Sequence, residues 1–350
     1  MNLPEDEKLP IHNLAACFKH TTATYKYYWL LSILQEVENG NINISKKSLF
    51  ASMIANSWYT VNYFKVSFGK QDLIQDTIRS INNIESITID EKKEIVLQKL
   101  INSGNVNTEK ILWHFNKNVP HWFLSPWFPK KVEETDSKRE DRIYNQSKNF
   151  ENQCLYALHQ DCIEINPIWV NYLISNAKFL KHFCYWNLTL YLQDKNPNVP
   201  DIPNKLIKPA SRGGLKEQRI QFWDIVLHKL GSVDCIYSGK RLTIGNYAVE
   251  HFIPYSFVSH NLIWNLIPAD ESFNSSKSDK IPPLEKYFDS FFDLQQKAFD
   301  IVSSANKDNK FLEDYLTIFP DLEHFTKEKF RETIQPLTTI ASNNGFEFLT

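Results

Sequence analysis

Residues 235–282 read CIYSGKRLTIGNYAVEHFIPYSFVSHNLIWNLIPADESFNSSKSDKIP. Short apolar runs around Gly245-Asn246 predict a hairpin of two strands, residues 235–242 and 247–254. A loop follows, and then a short helix over about 269–277. This stretch therefore predicts a small strand–strand–helix unit.

Four polar residues stand at the ends of these predicted elements. Glu250 and His251 end the second strand, Asn265 follows His251 by 14 positions, and Asn274 follows nine positions later, inside the helix. A neutral imidazole removes a proton from water well near neutral pH. Oxygen ligands hold a hard divalent cation, which stabilises charge on a phosphate. The set therefore indicates phosphodiester hydrolysis.

The spacing resembles that of the HNH (His-Asn-His, ββα-metal) endonuclease family. A chance match at every position of the pattern is on the order of one in a million when ordinary residue frequencies are multiplied. The spacing also resembles the HNH domain of RNA-guided CRISPR nucleases, although nothing else in the chain resembles those large proteins. The matching residues are Glu250-His251, Pro254, Asn265-Leu266, Asn274 and Lys277.

The resemblance implies a role for each of these polar residues. His251 would be the general base, and Glu250 and Asn274 would hold one Mg²⁺ or Mn²⁺ ion. Asn265 would brace the loop and orient His251, and Lys277 would contact a phosphate. The implied substrate is DNA.

The chain departs from the family pattern at two places. Family members more often have Asp where this chain has Glu250, which is one methylene longer. Many members also carry a four-cysteine zinc site, but here only Cys235 remains, with Ser238, Asp270 and Phe273 at the other three positions. One sulfur cannot complete a tetrahedral zinc site. We therefore predict no structural zinc, and we expect Phe273 and neighbouring aromatic residues to pack the gap.

The rest of the chain predicts a mainly α protein, because glycine is scarce (9 of 350 residues) and amphipathic stretches are long. We predict a helical, aromatic-rich recognition or interaction domain over 1–195, a Pro-rich linker over 196–212, and a nuclease domain over 213–350 with its core motif at 232–283. The small ββα module is thus embedded in C-terminal helices. Helices are predicted over 20–39, 45–66, 70–84, 90–102, 167–193, 214–230 and 284–302.

Two other segments leave alternatives open. Residues 119–129, VPHWFLSPWFP, contain three prolines and are predicted to be non-helical. They form either a buried loop or an aromatic surface for a base or a partner chain. Residues 130–152 are charged and predict an exposed loop or a solvated helix.

A local excess of basic residues precedes the motif. Residues 205–241 hold eight Lys or Arg and three Asp or Glu, a net charge of +5, whereas the whole chain has −2. This segment is either ordinary surface or a track for the DNA backbone. The candidate DNA contacts are Lys240, Arg241, Arg212 and Arg219.

The sequence therefore predicts a metal-dependent DNA endonuclease, with restriction or antiviral defence as the expected role. One alternative is that the helical N-terminal region is the main functional part and binds nucleic acid or a protein partner such as an ATPase. Another is an RNA substrate. Five scattered cysteines and the lack of a secretory signal or a membrane span favour a cytoplasmic protein.

Overall fold

The computed structural model describes residues 2–207, 214–321 and 325–350. The chain divides into two compact units, one of residues 1–197 and 202–208 and one of residues 198–201 and 209–350. Both consist mainly of helices, which confirms the predicted fold class. Residues 202–207 of the predicted linker pack with the first unit, and residues 208–213 lie outside the described part.

The first unit is built on two buried helices, Tyr25–Glu38 and Lys46–Asn62, and a small sheet. Trp29 donates its indole N–H to the Tyr156 hydroxyl at 2.9 Å, and that hydroxyl donates to the Pro120 carbonyl at 2.6 Å, all in the core. The elements are α1 Ile11–Ala16, α2 Tyr25–Glu38, β1 Asn43–Ser45, α3 Lys46–Asn62, α4 Ile74–Glu85, α5 Lys93–Ile101, α6 Val106–Trp113, α7 Val119–Phe123, α8 Asp136–Gln146, β2 Tyr156–Leu158, β3 Cys162–Ile165, α9 Pro167–Ser175, α10 Ala177–Lys195 and α11 Ile202–Lys205. The sheet order is β1-β3-β2, antiparallel throughout.

The aromatic segment 119–129 is partly helical, so the prediction of a wholly irregular loop is wrong. Its first five residues form α7, because Pro120 lies in the first turn, where its missing N–H costs no hydrogen bond. Phe123, Leu124 and Phe128 are buried, which agrees with packing inside the unit. The charged segment that follows contains α8, the solvated helix among the two alternatives.

The second unit surrounds two strand pairs with helices. Apart from short 3₁₀ turns, its elements are α12 Lys216–Gln218, a π-helical turn Arg219–Trp223, α13 Asp224–Leu230, β4 Val233–Asp234, β5 Arg241–Leu242, β6 Ala248–His251, α14 Tyr255–Val258, β7 Leu266–Ala269, α15 Glu271–Lys277, α16 Leu284–Ala305 and α17 Lys327–Asn343. No helix of the described residues is both long and apolar enough to span a membrane.

The strands pair differently from the predicted hairpin, and that prediction is wrong. β4 pairs with β5, whereas β6 pairs with β7, so that Glu250 lies opposite Ile267 and His251 opposite Leu266. The Gly245 turn closes only an isolated bridge between Thr243 and Asn246. β7 is buried along its whole length, so its side chains do not alternate between apolar and polar, and it has no strand signature in the sequence.

Helix α16 packs against this strand pair. Phe291 stacks on Phe252 at a centroid distance of 3.9 Å. The buried Gln295 amide donates to the carbonyls of Ile263 and Leu266 at 3.1 and 2.7 Å, and its oxygen accepts from the Tyr315 hydroxyl at 2.6 Å. Gln295 therefore fastens the chain that leads into β7.

Replacing Gln295 with leucine should destabilise the second unit. The substitution leaves two buried carbonyls and one hydroxyl without partners, at a cost of roughly 2–4 kcal/mol. Chemical denaturation of the full chain measures the change. The exposed neighbour Gln296 provides the control, since Gln296→Leu should change the free energy of unfolding by less than about 0.5 kcal/mol. Equal effects of the two substitutions would contradict this assignment.

Candidate active site

The β6–β7 pair ends in a clamp formed by Asn265. The Phe252 amide donates to the Asn265 carbonyl at 2.8 Å, which extends the ladder by one bond. The Asn265 side chain then accepts from the Ile253 amide at 2.8 Å and donates to the Ile253 carbonyl at 2.9 Å. Asn265 is fully buried. The backbone that follows His251 is therefore fixed on both sides.

The His251 ring is held by a residue that the sequence analysis missed. His251 is buried, with its Nε2 atom 3.0 Å from the Asn261 side-chain oxygen and its ring 5.4 Å from the Tyr255 ring. When Nε2 carries the proton and donates to Asn261, the lone pair of the neutral ring is on Nδ1. Asn261 thus selects a tautomer in which Nδ1 is the proton acceptor.

Helix α15 begins at a capped aspartate. The Asp270 carboxylate accepts from the Phe273 amide at 3.3 Å, from the Ser272 hydroxyl at 2.6 Å and from the Lys240 ammonium at 2.9 Å. The hydrogen bonds from Ser272 and Lys240 lower the pKa of Asp270 below its usual value. The carboxylate therefore stays charged at the helix N-terminus, where the helix dipole favours it.

Lys277, at the other end of α15, points into the site. Its side chain is 0% exposed, and its ammonium donates to Glu250 Oε1 at 2.8 Å and to the His251 carbonyl at 2.9 Å. These contacts bring the end of the helix directly against the end of β6. The predicted phosphate contact of Lys277 stays a prediction, because in this arrangement the ammonium faces Glu250.

Asn274 lies one turn before Lys277. Residues three apart share a helix face, so Asn274 lies on the side of α15 that meets β6. Asn274 is half-buried, and its side chain forms no hydrogen bond with the residues that the structure describes. The side-chain amide of Asn274 is thus available to a ligand on the helix face that also carries Lys277.

The Tyr237 hydroxyl is a buried oxygen that bears on whether this site suits a metal ion. It is buried and has no hydrogen-bond partner among the described residues. Burial, and then the negative charge of Glu250, raise the pKa of Tyr237 well above its usual value. A buried, unpaired oxygen thus lies within the electrostatic reach of Glu250.

The available donors are oxygens, which suit Mg²⁺ or Mn²⁺. In the described part of the chain no three His, Cys, Asp or Glu residues cluster around a common point. A magnesium site needs no such cluster, because Mg²⁺ commonly takes one or two carboxylates and completes its shell with water and substrate phosphate. The residues present therefore fit a hard cation bound with few protein ligands.

Phe273, at one position of the four-cysteine pattern, packs among aromatic rings. Phe273 stacks on Tyr237 at 4.9 Å with an interplanar angle of 10°, and Tyr237 meets Tyr287 edge-on at 5.1 Å. The Cys235 sulfur is buried and accepts from the Asp270 amide at 3.5 Å. The predicted aromatic packing at Phe273 is confirmed, and the absence of zinc stays a prediction.

The basic residues predicted to contact DNA have local partners. Lys240 caps α15 through Asp270, Arg241 lies 3.8 Å from an Asp234 oxygen, and the Arg219 guanidinium lies 4.6 Å from the centroid of the Tyr247 ring. Arg212 lies outside the described residues. The DNA track therefore stays a prediction.

The β6–β7 pair and α15 thus meet where Lys277 contacts Glu250 and the His251 carbonyl, and this strand–strand–helix arrangement is that of a ββα-type nuclease module. Comparison with known proteins agrees: residues 235–283 match the family model described as HNH endonuclease. The chain is also 36% identical over 89 residues to the CRISPR-associated endonuclease Cas9 of Listeria innocua.

The aligned region is 23% of this chain and 7% of that Cas9. No solved structure matches the chain. The chain therefore contains an HNH endonuclease domain at residues 235–283, and the likeness to the relative concerns only a small part of it.

The Asn265 clamp gives a stability prediction with a matched control. Asn265→Ala leaves the buried amide and carbonyl of Ile253 unpaired, so we expect a loss of roughly 2–4 kcal/mol. Asn274→Ala removes a side chain that forms no hydrogen bond with the described part of the chain and should cost less than about 1 kcal/mol. Urea unfolding monitored by circular dichroism measures both. A larger loss in Asn274→Ala than in Asn265→Ala would overturn the clamp.

Proposed function

We propose that this chain is a metal-dependent endonuclease that hydrolyses phosphodiester bonds in DNA. The observation that carries the proposal is the meeting of His251 and Glu250, at the end of β6, with the face of α15 that bears Asn274 and Lys277. The HNH endonuclease match over the same residues supports it.

The chemistry divides among the residues of the site. His251 takes a proton from the attacking water through Nδ1, while Asn261 holds Nε2 and keeps the ring in place. Glu250 and Asn274 would hold a Mg²⁺ or Mn²⁺ ion. Such an ion supplies a Lewis acid that stabilises negative charge on the phosphate. Asn265 keeps the backbone after His251 fixed, so the base stays aligned.

A role in restriction or antiviral defence is the further proposal. It is supported by the likeness to a CRISPR-associated endonuclease, which concerns the HNH region. We propose that the first unit recognises DNA or a protein partner such as an ATPase. The five cysteines are free thiols in the structure, which suits a reducing compartment such as the cytoplasm.

The catalytic role of His251 is tested by cleavage of supercoiled plasmid with Mg²⁺ or Mn²⁺. His251→Ala removes the proton acceptor and should lower the rate by about 10²–10⁴-fold, and EDTA should abolish cleavage. The exposed His228 provides a matched control, because His228→Ala should cleave like the wild type.

Equal rates for wild type and His251→Ala would contradict the proposal. The same assay on RNA of the same sequence identifies the substrate. Faster cleavage of RNA than of DNA would replace DNA in the proposal, while the catalytic residues would keep their roles.

Asn261 gives a separate prediction as a positioning residue. Asn261→Ala removes the acceptor for Nε2 and should lower kcat about 10–100-fold with little change in KM. Asn261→Asp keeps an oxygen at this place and should recover most of kcat. The steady-state parameters of the three proteins measure this. A change in KM alone, or failure of Asp to restore kcat beyond the Ala value, would refute the positioning role.

A further inference from the structure

The ammonium of Lys277 lies where a cation would be expected. It is enclosed between the Glu250 carboxylate and the His251 carbonyl, at 2.8 and 2.9 Å, and its side chain is 0% exposed. Two neighbouring oxygen atoms are also the kind of ligand that a hard metal ion binds. Lysine and metal would therefore use the same carboxylate.

Lys277 pairs with the buried Glu250 carboxylate, but stability alone gives no reason for the pair as a whole. Taking two charges out of water costs several kcal/mol each, and apolar residues of similar volume often replace buried ion pairs without loss. The aromatic rings of Tyr237 and Phe273 show that this side of the unit is already packed by apolar contacts. We therefore look for the role of the buried Lys277 charge in the function of Glu250.

A divalent cation and the ammonium oppose each other at this carboxylate. Like charges a few ångströms apart repel strongly when little water lies between them, and salt screens buried charges only weakly. A metal ion at Glu250 therefore binds weakly while Lys277 remains there. Lys277 is the last residue of α15, and its ammonium is carried on a flexible four-carbon side chain whose rotation would withdraw it.

We propose that Lys277 competes with the metal ion for the Glu250 carboxylate. The Lys277 ammonium leaves Glu250 when a substrate phosphate provides another anion for it. This inference rests on the proposed nuclease function. Metal and DNA then bind with positive coupling, since each favours the state in which Lys277 has left Glu250. The domain is thereby kept weakly loaded with metal until DNA is in place.

Binding of Mn²⁺ to the full chain without DNA tests the competition, with free Mn²⁺ measured by electron paramagnetic resonance. Lys277→Gln removes the charge but keeps a hydrogen-bond donor for Glu250 and the His251 carbonyl. We expect its Kd for Mn²⁺ to be lower than that of the wild type by about tenfold or more. Lys277→Met should show the same change. Lys280→Gln, three residues further along the chain, serves as the matched control and should bind like the wild type.

Unchanged or weaker Mn²⁺ binding by folded Lys277→Gln and Lys277→Met would overturn the inference and make Lys277 a structural partner of Glu250. Circular dichroism and thermal melting establish that the variants are folded. If plasmid cleavage by the wild type is metal-dependent in the same preparation, the nuclease function survives that result. Absence of both Mn²⁺ binding and cleavage in every protein would overturn both proposals.

A second measurement uses DNA and needs no folded Lys277 variant. In the His251→Ala background, which prevents cleavage, a DNA duplex should tighten Mn²⁺ binding about tenfold or more. No tightening would overturn the inference. Where Lys277→Gln folds, combining it with His251→Ala should reduce the tightening by DNA, because the competing charge is already gone. An equal gain in both backgrounds would contradict the coupling through Lys277.

Discussion

The register of β6 against β7 is the constraint on which the site depends. Side chains alternate along a strand, so a shift by one residue would exchange the directions of Glu250 and His251. The Asn265 side chain prevents such a shift, since it uses both its donor and its acceptor on the backbone of Ile253. The Phe252–Phe291 stack and the Gln295 amide hold the same segment from α16. The candidate active site thus depends on a strand pair only four residues long.

Burial decides how the charges of this site are arranged. A carboxylate as enclosed as Glu250, 8% exposed, needs a positively charged or hydrogen-bonding partner. The Lys277 ammonium meets that requirement in the chain without metal. A basic residue at the end of a short helix would ordinarily extend into solvent and be free to meet a phosphate. Here α15 lies close to β6, so the Lys277 ammonium turns inward. It pairs with Glu250, the proposed metal ligand.

The sequence predicted the HNH domain better than the strand pairing within it. Glu250, His251, Asn265 and Asn274 fall within 25 positions, so their spacing alone suggested one catalytic unit. The strand β7 escaped prediction because it is buried on both faces and contains Pro268, which ordinarily argues against a strand. Asn261 escaped because its contact with His251 crosses an irregular loop, where no periodicity places a side chain. Backbone hydrogen bonding and loop closure, rather than residue type, decide these features.

The size of the nuclease module explains why it is embedded in helices. A segment as short as 235–283 buries too little apolar surface to be stable alone, and domains of this size commonly depend on a bound metal or on disulfides. In this chain aromatic side chains stabilise the module. Tyr237 contacts both Phe273 of α15 and Tyr287 of α16. Phe291 of α16 also contacts Phe330 of α17, with ring centroids 5.3 Å apart. The C-terminal helices are therefore part of the fold that holds the candidate catalytic residues, because they supply apolar packing around α15.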